Sequence, residues 1–258
     1  MRPVNATDTI TWLRTRGKPK AAETYVRHGA KDEALGVSYA HINALAKTIK
    51  VDHELARALW TSGLHEARIL AMKVIDPAAL TKADADQWLA DVRDHILSGA
   101  VAGAIARADD ARVWVGAWIA SPGEWLSATG WCVLAELAQA GRVAEATGAR
   151  YLGIIAKELH AAPNRTRHAM NGALIALGGY IGSLRDKADD VAKKLGKVEV
   201  DHGDTDCKTP DALSYMAKMD AARAKARAAQ RGHSGAPAKT DKVKAPSAKA
   251  ASKKKGTT

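Results

Sequence analysis

The sequence predicts an all-α protein in which antiparallel helical hairpins stack into a curved superhelix. Three observations carry that expectation. Apolar residues recur at i, i+3, i+4 and i+7 along most of the chain, the spacing of one helix face. Alanine, the strongest helix former, is abundant. The only alternating stretch, "KVEV" at 197–200, is four residues long and has no partner hairpin. Short turns between successive runs favour antiparallel neighbours. A closed helical bundle fits the same pattern and is the alternative architecture.

The elements follow in order. "NATDTITWLRTR" (5–16) reads as an amphipathic helix capped by Asn5 or Thr7. Residues 17–38 mix a short helix with a Gly-rich connection. "SYAHINALAKTIK" carries the stripe Ile42, Leu45, Ala46, Ile49. "DHELARALWTSG" continues with Leu55, Ala58 and Leu59, with Asp52 as its cap and Gly63 as a C′ glycine. "LHEARILAMKVI" follows and breaks at Pro77. "TKADADQWLADVRDHILSG" starts on Thr81 and Asp84, and residues 100–120 hold one or two compact helices. "SPGEWLSATGWCVLAELAQAG" opens on a capping box, with Ser121 as cap, Pro122 at the first position and Glu124 reaching back. Helices over 142–162, 163–182 and 183–196 come next, and Thr209-Pro210 launches the last. The rhythm of about eleven helices is that of HEAT/ARM-like repeats.

Charge divides the chain. Of the net charge of +11, ten units lie in residues 221–258, so the preceding body is nearly neutral. Residues 1–220 form the expected folded domain, 221–230 complete the last helix, and 231–258 read as a disordered Lys/Ala-rich tail. That tail has almost no large apolar residue to offset ordering entropy. Its lysines, including Lys253, Lys254 and Lys255, suit contact with a nucleic-acid polyanion; a solubilising tail is the plainer alternative. No eighteen-residue apolar run predicts a membrane span, and the N-terminus lacks the apolar core of a secretory signal. Two cysteines, Cys132 and Cys207, make no disulfide framework. A cytoplasmic or nucleoid-associated monomer is expected.

Chemistry concentrates in "KVEVDHGDTDCKTPDA" (197–212), which gathers Glu199, Asp201, His202, Asp204, Asp206 and Cys207. Zinc sites use paired Cys/His spacings, and calcium loops use alternating oxygens with a terminal Glu; this stretch has neither. A rigid turn whose Asp and Thr side chains bind backbone amides is the expected role. No metal or cofactor is expected. "LHEARILA" lacks the second His of HExxH, so His65–Glu66 reads as a helix–helix contact. Trp114, Trp118, Trp125 and Trp131 read as core. "PNRTRHAMN" places Arg165, Arg167 and His168 at a helix start behind an Asn164 cap, a position that favours anions.

Four phrases together resemble bacterial DNA alkylation repair proteins of the AlkD type: residues 36–77, "SPGEWLSATGWCVLAELA" (121–138), "APNRTRHAMNGALIALG" (162–178) and "GKVEVDHGDTDCKTPDALSYMAK" (196–218). The similarity spans roughly residues 5–220. It implies a HEAT-like superhelix whose concave, basic face holds duplex DNA. It also implies a metal-independent glycosylase that removes cationic N3- and N7-alkylpurines without extruding the base into a pocket, unlike base-flipping enzymes. In such a mechanism a carboxylate faces the developing sugar charge, two Trp flank the lesion, and an Arg holds phosphate. Carried onto this sequence, the carboxylate position falls on Gly99 and an aromatic position on His95; a one-residue slip gives Ser98 and Asp94. The Arg position falls on Ala128 and the second Trp on Gly172. The resemblance thus implies a DNA-binding repair protein with its usual catalytic positions substituted. A non-enzymatic scaffold for DNA structures or a protein partner is the alternative. Asp94, His95, Asp201 and His202 are the candidates for relocated catalysis. The helix start with Arg165, Arg167 and His168 faces DNA in that family.

Overall fold

The structure is a computed structural model that describes residues 5–234. The chain divides into two units, Met1–Asp220 and Ala221–Thr258. Lys253, Lys254 and Lys255 lie outside the described residues.

Thirteen α-helices occur among the described residues: α1 Ala6–Arg14, α2 Pro19–Arg27, α3 Tyr39–Ile49, α4 His53–Thr61, α5 His65–Val74, α6 Lys82–Asp91, α7 His95–Ile105, α8 Ala111–Ile119, α9 Glu124–Gln139, α10 Glu145–Glu158, α11 Asn164–Tyr180, α12 Arg185–Leu195 and α13 Ala212–Ser234. Among them there is no strand; one isolated bridge pairs Glu33 with Leu64.

Several helix starts follow directly from local chemistry. Asn5 accepts from the Asp8 N–H at 2.9 Å, and Asp52 from Leu55 at 3.0 Å. Thr81 and Asp84 form a reciprocal capping box, which satisfies two backbone donors at once. Gly63 ends α4 at φ 69°, where a side chain would be strained. Other boundaries differ from the expectation. The run 81–99 is two helices, because the Asp94 carboxylate accepts from the N–H groups of Ile96 and Leu97, both at 2.9 Å, and starts α7. The last helix is capped by Asp211, which accepts from Ser214 at 2.8 Å, rather than by Thr209.

The helices of the first unit stack in two rows. α5, α7, α9 and α11 touch in succession, and α4, α8, α10 and α12 pack against them. Helices rich in small residues allow close approach: a Cβ on Gly178 would sit 2.4 Å from that of Ala188 and 2.5 Å from the Met216 sulfur. The tryptophans serve this packing. Trp118 and Trp131 are buried, and Trp114 and Trp125 pack against the same core.

Polar bonds join successive repeats. Trp60 Nε1 donates to Asp91 at 2.8 Å and Trp118 Nε1 to Asp86 at 2.7 Å. Arg107, just past α7, donates to the Met72 carbonyl near the end of α5 at 2.9 Å. Arg142, just past α9, donates to the carbonyls of Ala106, Ala108 and Asp109 beyond the end of α7. No helix among the described residues is long and apolar enough to cross a membrane.

Candidate nucleic-acid interface

The starts of α5, α7, α9 and α11 lie along one side of the first unit, where two irregular segments meet them. The first segment is residues 28–37. Its anchor is Glu66, in register with Ile69 and Leu70 on the apolar stripe of α5 and fully buried. The Glu66 carboxylate accepts the backbone N–H groups of Leu35 at 2.9 Å, Gly36 at 2.5 Å and Val37 at 2.9 Å. Three donors on one carboxylate compensate its burial. Gly36, at φ 80°, would bring a Cβ to 2.0 Å from the Lys18 carbonyl oxygen, so only glycine fits. His65–Glu66 is therefore a buried clasp on a loop, not the helix–helix contact that the motif suggests.

Asp94 does not lie on a solvated helix face. It is 1% exposed; one oxygen caps α7, and the other lies 3.9 Å from Nδ1 of the fully buried His65. Its cap bonds fix where α7 begins and so place His95, whose side chain is partly covered and partly open to solvent. Gly29 packs against the His95 ring: a Cβ there would sit 3.6 Å from Nδ1.

The second segment is residues 197–211. Asn164 does not cap α11; its amide and the Asp201 backbone exchange two hydrogen bonds of 2.8 Å. At the start of α11 it is Glu124 that serves the backbone, its Oε1 accepting from the Arg165 N–H at 2.7 Å. This also corrects the expected capping box of α9: Ser121 accepts from Gly123, while Glu124 serves the neighbouring helix. Arg167 donates to the Glu199 and Ala162 carbonyls, both at 3.0 Å, so its guanidinium holds the loop in place. Within the loop, Asp201 accepts from the Gly203 N–H at 2.8 Å, Thr205 donates to the His202 carbonyl at 2.9 Å, and His202 Nε2 bonds Thr209 at 3.0 Å. The loop is the Asp/Thr-built turn expected of it. Among the described residues no group of three His, Cys, Asp or Glu side chains could hold a metal ion.

Between these walls sits a cluster of basic groups. The His168 and His202 rings meet edge-to-face with centroids 5.5 Å apart. Burial lowers the pKa of His168 to about 4, helped by the charges of His202, Arg165 and His95. Burial lowers that of His95, with Arg165, His28 and His202 adding and Asp94 opposing. His202 is lowered by desolvation and by Arg165, against Asp201. The Arg165 guanidinium makes no hydrogen bond or ion pair with any described residue.

Beside the cluster, α7 presents exposed Gly99 and half-exposed Gly103, and α11 presents half-exposed Gly172. A Cβ at any of the three would meet nothing within 4 Å. Each interior glycine weakens its helix by about 1 kcal/mol relative to alanine, and no internal contact explains them. Ala128 is buried in α9, where no side chain could reach phosphate. Burial pushes the Cys132 thiol up to about 11.

These features define an all-α helical-repeat protein with a histidine- and arginine-lined surface at the starts of its stacked helices. Comparison with known proteins gives the family. The model described as DNA alkylation repair enzyme matches residues 9–193, and the chain belongs to that family. It is 31% identical over 215 residues to uncharacterized protein Lin0241 of Listeria innocua, covering 81% of this chain and 94% of that one. Uncharacterized protein Lmo0209 of Listeria monocytogenes matches with the same identity and coverage. A solved structure, described as a new family of proteins related to the HEAT-like repeat DNA glycosylases with affinity for branched DNA structures, superposes with a TM-score of 0.77 at 27% identity. That match covers 85% of this chain and 96% of the other. The fold is thus all-α and HEAT-like.

Sequence reasoning brought forward Arg165, His168, His95 and His202, which the structure gathers. It also proposed Arg167, Asp94 and Asp201, which the structure uses for bonds within the fold. His28 carries no local signal, and the partners of Glu66 and Glu124 lie 29 to 41 positions away. The one signal for Glu66 was an acid standing on an apolar helical stripe.

Proposed function

We propose that this protein binds DNA through the surface formed by α7, α11 and the 197–211 loop, and that it recognises branched or distorted DNA instead of excising bases. Membership of the alkylation repair family supports a DNA ligand, and the affinity of the solved relative for branched DNA supports the choice of structure. The observation that carries the reading is the exposed side of α7. Its successive turns present His95, Gly99 and Gly103. Hydrolysis of a glycosidic bond builds positive charge on the sugar, and a carboxylate placed against it is the usual source of stabilisation. The carboxylate nearest this helix, Asp94, is buried and committed to a cap. Glycines let a ligand backbone come close to the helix itself. The basic segment 221–258 adds sequence-independent attraction for phosphates.

The test pairs two assays. Base release is measured on duplex DNA carrying methylated purines, and affinity is measured for a four-way junction and a matched duplex across a salt series. We expect no release above background, tighter junction binding, and affinity that falls as salt rises. Release that disappears in Asp94→Asn or Asp201→Asn would overturn the non-enzymatic part. Binding insensitive to salt would overturn the DNA-binding part.

A further inference from the structure

We infer that Arg165, His95, His168 and His202 form a receptor for one phosphate group of a nucleic acid. The inference deepens the DNA-binding reading and rests on it for the source of the ligand. Arg165 brings an unpaired guanidinium among imidazoles. Three imidazoles and a guanidinium from α7, α11 and the 197–211 loop share one neighbourhood, with His28 at its edge. Among the described residues, neither Arg165 nor the His95 and His168 rings has an ion-pair partner. The acids around them are occupied elsewhere. Asp94 caps α7 and faces His65. Glu124 serves the Arg165 N–H. Asp201 closes its own turn on Gly203.

Burial lowers the proton affinity of these histidines, and the neighbouring cations add a repulsive penalty to each. An anion supplied from outside removes that penalty. Phosphate fits best because it offers several acceptor oxygens to donors arriving from different directions, and an arginine can meet two of them. The anion's donors are side chains: at the helix starts, the Ile96 and Leu97 N–H groups go to Asp94 and the Arg165 N–H goes to Glu124. The ligand is held by side chains, so its affinity depends on imidazole protonation and rises as pH falls.

The experiment follows the imidazole C–H resonances of the full chain by NMR from pH about 4 to about 8. Inorganic phosphate is the first probe, at constant ionic strength against chloride. Phosphate should raise the midpoints of His95, His168 and His202 by about one unit and leave those of His41 and His160 in place. Arg165→Gln should abolish the shift while circular dichroism shows an intact fold, and Arg165→Lys should restore part of it. Single-stranded oligonucleotides with a 5′-phosphate or a 5′-hydroxyl form the second arm. A larger shift with the 5′-phosphate identifies a terminal phosphate, and equal shifts identify an internal phosphodiester; both support the receptor. Midpoints that do not respond to phosphate or to either oligonucleotide overturn it, even where junction DNA binds. Shifts with inorganic phosphate but no affinity for any DNA would leave the anion site standing and overturn the DNA-binding reading.

Discussion

The two irregular segments that wall the candidate site carry histidines to the same place but are held there in opposite ways. Residues 28–37, with His28, hang from the buried Glu66 carboxylate by three backbone bonds. Residues 197–211, with His202, hang from Asn164 and Arg167 by bonds that lie largely in solvent. A buried carboxylate stripped of its role leaves several amides without acceptors, and each costs the full desolvation penalty. Exposed bonds exchange with water at little net cost. The contrast lies in anchoring: the N-terminal wall hangs on a buried carboxylate and the C-terminal wall on solvent-exposed bonds, although both border the proposed site.

Four measurements break or sharpen that contrast. The largest effect is expected for Glu66→Ala, which orphans the N–H groups of Leu35, Gly36 and Val37. It should lower stability by about 3 kcal/mol or more in urea unfolding. Asn164→Ala should cost about 1 kcal/mol by the same method, and should speed amide exchange at Asp201. Equal losses for the two variants would erase the distinction. The third measurement is pH. The folded pKa of His168, about 4, lies below its ordinary value near 6.5, so the unfolded chain binds more protons between those values. The stabilisation from a neutral His168 is therefore complete above about 6.5 and is lost as pH falls toward about 4. Unfolding free energy should rise with pH across that window, with a shallower slope in His168→Gln. The smallest change in stability is a gain: Gly99→Ala or Gly172→Ala should stabilise by about 0.5–1 kcal/mol. Either methyl should also weaken junction binding, measured by fluorescence anisotropy, if DNA approaches the helix closely there.

Much of the fold was legible because its rules act within a turn of helix. The caps at Asn5, Asp52 and Thr81, the terminal Gly63 and the apolar stripes each involve residues at most four positions apart. The site was legible in residue type but not in role. Ser121-Pro122-Gly123-Glu124 has a capping-box pattern, yet Glu124 bonds Arg165, 41 positions away. Asn164 looks like a cap and instead binds Asp201, 37 positions away. In both cases a neighbouring repeat supplies a better-placed partner than the local backbone does. Local spacing cannot register such bonds: Asn164 reads as a cap, Arg167 as an anion contact and Asp94 as a catalytic candidate, although each holds the fold in place.

Arg107 and Arg142 give the stack a further property. Each stands just past one helix and grips carbonyls near or beyond the end of the helix one repeat earlier. Units that merely touched would peel from the ends of the array one at a time. Here, opening one unit also strips hydrogen-bond donors from the unit before it, which raises the nearest-neighbour coupling that governs repeat arrays. Residues His65 to Arg142 should therefore melt in a single cooperative transition, and a lesion at Arg107 should split that transition in two, as read by hydrogen exchange along the chain.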